Sequence, residues 1–315
     1  MATPESVTTK SRSFARWAFV LVPLVGLAEL ALHIKQTHSV AAPEDWAAAK
    51  ADVEKNAKPD DLVTFAPKWV DPIGRETFGS ALATEAREAY PDVSRFPRAF
   101  EVSIRGAHAP DLDGWTNVGE ARFGAVTVTT WENPHPITLV DDLLRHIDTP
   151  DLHVMLVDGA TERECALVHG AAQSGALGAG PATPGTHYGC PNGTNVGITI
   201  LADLDYNPRR CILAPPPGGQ SFIRFRFDNL KLGKAIHGHH AISVHQERNL
   251  TGAPVTLAFR VGDRDLGKLV HRDGDGWKPF ELDTSDLAGT TAALTVDVSA
   301  ANGDSRLYCF EADAR

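Results

Sequence analysis

The chain has 315 residues, 43% of them hydrophobic, and a net charge of -10. That length holds one large or two ordinary domains, and the composition is globular, so disorder is not the default. With no cluster of Lys and Arg, the acidic balance excludes a nucleic-acid partner, whose phosphates require concentrated positive charge.

The first element in chain order is an apolar run from Trp17 to Ile34, 18 residues that include ten Leu, Val, Ile and Phe and one formal charge, Glu29. This is close to the minimum length for a membrane span. On an insertion scale the apolar residues contribute roughly -3 to -6 kcal/mol, against about 3 kcal/mol for a carboxylate at mid-bilayer. Lys10, Arg12 and Arg16 precede the run and Lys35 follows it, which orients the N-terminus toward the cytoplasm. The expectation is therefore a cytoplasmic tail (1–16), a single transmembrane helix (17–34) and a periplasmic or otherwise extracytoplasmic body at the plasma (inner) membrane. A cleaved signal peptide ending near Ser39-Val40-Ala41 is the rival, and it delivers the body to the same compartment.

Four cysteines, Cys165, Cys190, Cys211 and Cys309, agree with an oxidising space. They allow three pairings. Cys165 with Cys190 is expected to staple a Gly-rich loop, and Cys211 with Cys309 to join the first and last strands of a C-terminal module; four buried free thiols is the other outcome.

Residues 43–145 form an expected α/β region. A helix opens at Pro43 and runs through WAAAKADVEKNA, a buried strand covers Asp61 to Pro67, a helix Ser80 to Tyr90, and an alternating strand Ala99 to Ala107. Residues 150–210 are β-rich with a long loop from Ala171 to Asn195, and residues 211–315 carry closely spaced short strands typical of a sandwich. The fold class expected is mainly β: one transmembrane helix, a small α/β region, and a C-terminal β-sandwich of jelly-roll type.

Two resemblances sharpen this. The Trp-led helix at Trp46, the strands DLVTFAP and FEVSIRG, and FGAVTVTTWENP (Phe123 to Pro134) together resemble the extracytoplasmic part of bacterial membrane glycosyltransferases, over about 45–134. The likeness is one of element order, with no catalytic motif. The block 211–315 resembles galactose-binding-like jelly-roll modules through the progression Trp277, Phe280, Asp283, Ser285, Leu287, Ala288 and Gly289. That resemblance implies a sandwich and, in many such modules, a sugar ligand.

The stretch AIHGHHAISVHQE carries His237, His239, His240 and His245. In an unbroken strand His237, His239 and His245 line one side and His240 the other. The plain reading is half-exposed imidazoles, with Gly238 marking a bulge or an edge; a ligand-binding face comes next, and a zinc or copper site last. Trp277, entering a strand, reads as core ahead of an exposed platform for a sugar ring. Asp273 and Asp275 in HRDGDGW space carboxylates as calcium ligands can be spaced, but the twelfth position counted from Asp273 is Thr284, so a tight turn is the stronger reading. The Asp203-x-Asp205 pattern is discounted as a three-residue coincidence. No GxSxG, HExxH, P-loop or Rossmann fingerprint is present, so no catalytic residue and no cofactor are expected.

The leading expectation is a membrane-anchored, non-catalytic protein that binds carbohydrate or assists cell-envelope glycan assembly, with an envelope glycan or a membrane glycosyltransferase complex as partner. Its rival is an envelope glycan-modifying enzyme that uses carboxylates or a His-bound metal.

Overall fold

The computed structural model describes residues 11–37, 40–58, 60–82, 92–170 and 185–315. Helix α1 (Ser11–Thr37) covers the apolar run, and every described side chain on it, from Val20 to Lys35, is exposed. Among the described residues no helix is long and apolar enough to cross a membrane. The tail up to Lys10 lies outside them.

The body divides into two units. In the first, α2 (Pro43–Asn56) starts on a proline, places Glu44 and Asp45 in its first turn, and buries Trp46, Ala49 and Val53. That spacing of three and four is the apolar stripe of a surface helix. Strand β1 (Leu62–Ala66) follows, then α3 (Asp71–Leu82), whose Phe78 meets Phe65 edge-to-face at 5.3 Å. A Cβ at Gly74 of α3 would fall 2.3 Å from the Phe65 ring, so the glycine sets how closely helix and strand approach. The helix expected over Ser80–Tyr90 overlaps the end of α3 and otherwise lies outside the described residues.

Strands β2 (Arg98–Ile104), β3 (Thr116–Phe123) and β4 (Val126–Glu132) complete a four-stranded sheet of order β1-β2-β4-β3. The β3–β4 hairpin turns at Gly124, whose φ of +56° suits glycine. In β2, Phe100, Val102 and Ile104 alternate with Glu101 and Ser103, and all five are buried.

The second unit is the β-rich part. Its strands are β5 (Asp141–Asp142), β6 (Leu152–Asp158), β7 (Thr161–Glu164), β8 (Ala166–His169), β9 (Thr186–Gly189), β10 (Asn195–Ala202), β11 (Pro208–Leu213), β12 (Ser221–Lys231) and β13 (Ala235–Ile242), the short helix α4 (Val244–Glu247), then β14 (Val255–Val261), β15 (Arg264–His271), β16 (Lys278–Asp283), β17 (Thr291–Ala300) and β18 (Tyr308–Ala314). One sheet runs β16-β13-β18-β11-β10-β9-β8, with β5 also pairing β18; the other runs β15-β14-β17-β12-β6-β7. The arrangement is mainly β and sandwich-like. Both sheets draw strands from 150–210 as well as from 211–315, so hydrogen bonding does not break at residue 211.

Strand β12 shows how the sequence makes this core. Ile223, Phe225 and Phe227 point inward and are fully buried, while Arg224 between them reaches the Asp297 carboxylate with two nitrogens, at 2.8 and 2.9 Å. Strand β18 is buried on both faces: Tyr308, Phe310 and Ala312 enter the core, and Cys309 belongs to a smaller cluster with Leu201, Cys211 and Ala241.

Both expected disulfides form, Cys165–Cys190 and Cys211–Cys309. The stretch expected as one loop from Ala171 to Asn195 instead contains β9, which pairs antiparallel with β8, and Gly170 N donates to Gly185 O at 2.9 Å at the end of that pair away from Cys165–Cys190.

Candidate functional site

The histidines of β13 divide as strand alternation requires. His237 and His239 share the outer face, ring centroids 5.2 Å apart, while His240 turns inward. His245 does not join them. The strand ends at Ile242, and the Ser243 carbonyl accepts from Gln246 N and Glu247 N and starts α4, leaving His245 exposed on that helix. Gly238 is neither bulge nor edge: β13 lies between β16 and β18 in unbroken register, and a Cβ there would fall 2.2 Å from the Glu311 carbonyl.

His239 is matched across the sheet by buried Glu311, with Nδ1 and Oε1 2.8 Å apart. Burial lowers the His239 pKa to about 4 and raises that of Glu311 well above its usual value. The two directions agree on one proton placement. Burial disfavours the charged form of both partners, which favours a neutral acid hydrogen-bonded to a neutral imidazole over a buried ion pair. The Trp277 ring stacks on His239 at 5.4 Å and 7°, and the Arg209 guanidinium lies 5.6 Å from the same ring. Trp277 is thus a layer in a packed stack against Leu201, Cys211, Ala241 and Cys309, as the core reading of its sequence expects. Arg209 is held in turn by Asp203 (2.8 Å), which also accepts from the backbone of Asp205 and Asn207, so the Asp203-x-Asp205 pattern closes a turn.

Asp273 and Asp275 do not form a cation site. Asp273 pairs with buried Arg306 and accepts from Gly252 N, while Asp275 accepts from Arg272 N and from Lys278 Nζ at 2.9 Å. Asp275 closes the turn, and Asp273 ties it to Gly252 and Arg306. Among the described residues, no group of three or more His, Cys, Asp or Glu could hold a metal ion. On the core face His271 bridges His240 and Glu247 at 3.2 and 3.1 Å, and all three are enclosed.

A different place has the form of a binding site. One face of the four-stranded sheet opens into a cleft of about 430 Å³ whose lining includes Glu101, Ser103, Arg105, His108, Asn117, Glu120, Arg122, Thr127, Thr129 and Trp131. Its volume falls within the range of small-molecule sites. Strand alternation builds it: Glu101 and Ser103 of β2 share a face, as do Thr127, Thr129 and Trp131 of β4, and the β3 partners in register are Arg122, Glu120 and Asn117. The segment after β2 folds back, so that Glu101 is only 2% exposed.

The Glu101 carboxylate holds this floor together. It accepts from the Ala109 backbone N–H and from Trp131 Nε1 at 3.0 Å, and it lies 3.0 Å from His108 Nδ1. The carboxylate oxygens are acceptors for a proton on His108 Nδ1, and Nε2 faces outward, 3.4 Å from the exposed Asp113. The His108 and Trp131 rings are 4.8 Å apart. Chemically this is a preorganised polar surface with one indole and fixed donors and acceptors. None of these residues is singled out by sequence spacing. The one signal is a Glu in a strand whose every other side chain reads as buried.

No protein-family model matches the chain, the 45–134 segment included, and no curated protein sequence matches it. Among solved structures, it is similar to the CBM51-2 and INT domains of Clostridium perfringens ZmpB, at 11% identity and a TM-score of 0.26, covering 52% of this chain and 37% of that one. It is also similar to the CBM51-2 (in complex with GlcNAc) and INT domains of the same protein, at 10% identity and a TM-score of 0.29, covering 81% of this chain and 47% of that one. The chain spans less than half the length of either.

Proposed function

We propose that this is a membrane-anchored extracytoplasmic protein that binds carbohydrate without turning it over, in the service of cell-envelope glycan assembly, and that the sugar sits in the cleft floored by Glu101. The observation that carries the reading is the convergence of Glu101, His108 and Trp131. A buried carboxylate fixes an indole and an imidazole beside Ser, Thr, Asn, Glu and Arg side chains, a mixture suited to a ring that is apolar on its face and hydroxylated at its rim. Two disulfides support an oxidising compartment. The exposed apolar side chains of α1, from Val20 to Ile34, support an anchor buried in lipid with the N-terminus cytoplasmic.

The test is a glycan array followed by calorimetry, with the full-length protein in detergent. At least one envelope-type sugar is expected to bind, and Trp131→Ala to weaken it at least tenfold. Failure of every sugar ends the reading. The location is checked separately by adding protease to intact spheroplasts, where loss of the body is expected and its survival overturns the topology.

One observation favours the rival enzyme. A carboxylate-oriented imidazole with an outward Nε2 is the arrangement of a general base. Release of product from a bound glycan that His108→Ala abolishes would establish it; turnover unaffected by that variant, or none at all, rejects it.

A further inference from the structure

Arg105 lines the cleft at the end of β2. It occupies a tight turn in which it and Gly106 both have positive φ, +58° and +67°, closed by Ala107 N donating to Ile104 O at 3.1 Å. Such central positions normally go to Gly, Asn or Asp, because an L side chain with a longer stem is disfavoured there. The guanidinium carbon lies 5.6 Å from the centre of the Trp69 ring. Trp69 stands on a single 3-10 turn, Lys68–Val70, that buries Val70 completely but leaves Trp69 58% exposed.

Two local choices here run against folding: an arginine in a left-handed turn and a tryptophan presented to water. Departures of that kind gather at functional sites. Their placement gives them one shared use. Arg105 belongs to the cleft wall and to the Trp69 stack at once, so the polar floor with its Trp131 indole continues over a guanidinium onto a second indole.

We propose that the carbohydrate site extends past Arg105 onto Trp69, and that its ligand is an oligosaccharide with one sugar in the cleft and a following sugar stacked on the Trp69 ring. This rests on the reading of the Glu101 cleft as a carbohydrate site. Arg105 is the hinge between the two positions: pinned over the indole, its nitrogens are left to donate to hydroxyls of the sugar on either side.

The experiment titrates the full-length protein in detergent with cello-, chito- and manno-oligosaccharides of one to six units, read by calorimetry and tryptophan fluorescence. In the series that binds, affinity is expected to rise at least tenfold from one unit to four. Trp69→Ala is expected to remove at least fivefold of that gain, and Trp69→Tyr to restore most of it. Urea midpoints of both variants report that the fold is intact. Equal affinity for monomer and tetramer, or a Trp69→Ala variant that holds the tetramer as tightly as the parent, overturns the extension while the cleft reading stands. No binding in any series overturns both.

Discussion

Replacing Glu101 with glutamine keeps shape and removes only the charge, and the geometry makes its consequence specific. One carboxylate oxygen faces the Ala109 backbone N–H and the other faces Trp131 Nε1. Neither donor can change its proton. His108 can, by moving from one tautomer to the other. Whichever way the new side-chain amide is turned, its NH2 must therefore face one fixed N–H in a place only 2% exposed, and that donor is left unpaired. An unsatisfied buried group costs about 1–3 kcal/mol, so E101Q is expected to lose about 2 kcal/mol. Trp131→Phe removes one of the two fixed donors, and the glutamine can then turn its NH2 toward the vacated side. In E101Q/W131F the losses are expected to fall short of their sum by about 1–2 kcal/mol. Urea unfolding followed by circular dichroism measures all four corners of this cycle. An E101Q midpoint within about 0.5 kcal/mol of the parent, or a cycle that simply adds, would refute the assignment of Glu101 as the organiser of the floor.

Three further outcomes are expected. Replacing Cys211 and Cys309 with alanine should cost about 4.7 kcal/mol, and replacing Cys165 and Cys190 about 3.5 kcal/mol, since the denatured chain loses more freedom to the longer closed loop; the separations are 98 and 25 residues, and reversed denaturation midpoints would reject the ranking. Arg306→Ala strands the buried Asp273 carboxylate, both side chains being under 10% exposed; a loss of about 3–5 kcal/mol is expected, and a midpoint shift below about 1 kcal/mol would mean that the pair is solvated. The His240 pKa is lowered to about 3, first by burial and then by the neighbouring His271 charge. The unfolded chain takes up that proton near pH 6.5 and the folded one resists it, so stability should fall as pH falls through the interval between those values, by up to about 1.4 kcal/mol per pH unit. His240→Asn should flatten that part of the curve, and an unchanged slope would place the effect elsewhere.

What the sequence disclosed was what is local. Alternation in β12 and β18, the even cysteine count and the proline-led start of α2 each follow from periods and residue types that need no partner. The cysteine pairing could also be read, because each pair brackets elements that must lie side by side. The rest depends on distance along the chain. His239 gains its meaning from Glu311, 72 residues away, and the cleft from Trp131, 30 residues beyond Glu101. His245 was misplaced because one backbone turn at Ser243 ends the strand, and nothing in its apolar flank announces that stop. Helix α3 does begin with a readable signal, Asp71-Pro72, yet the helix-forming run further on drew the expectation there. Trp277 was legible as core from its place at the start of a strand, but the His239 ring stacked on it comes from 38 residues earlier and has no local signal.

The β8–β9 pair has a practical use. Gly170 and Gly185 meet at its open end and Cys165–Cys190 clamps its base, so the chain leaves and re-enters the sheet at one point. A single backbone cut between Gly170 and Gly185 leaves Cys165 on one fragment and Cys190 on the other, so the two stay covalently joined until the disulfide is reduced. Such a nick would release no fragment in an oxidising compartment and two in a reducing one, which makes the bond a readout of the space the protein occupies.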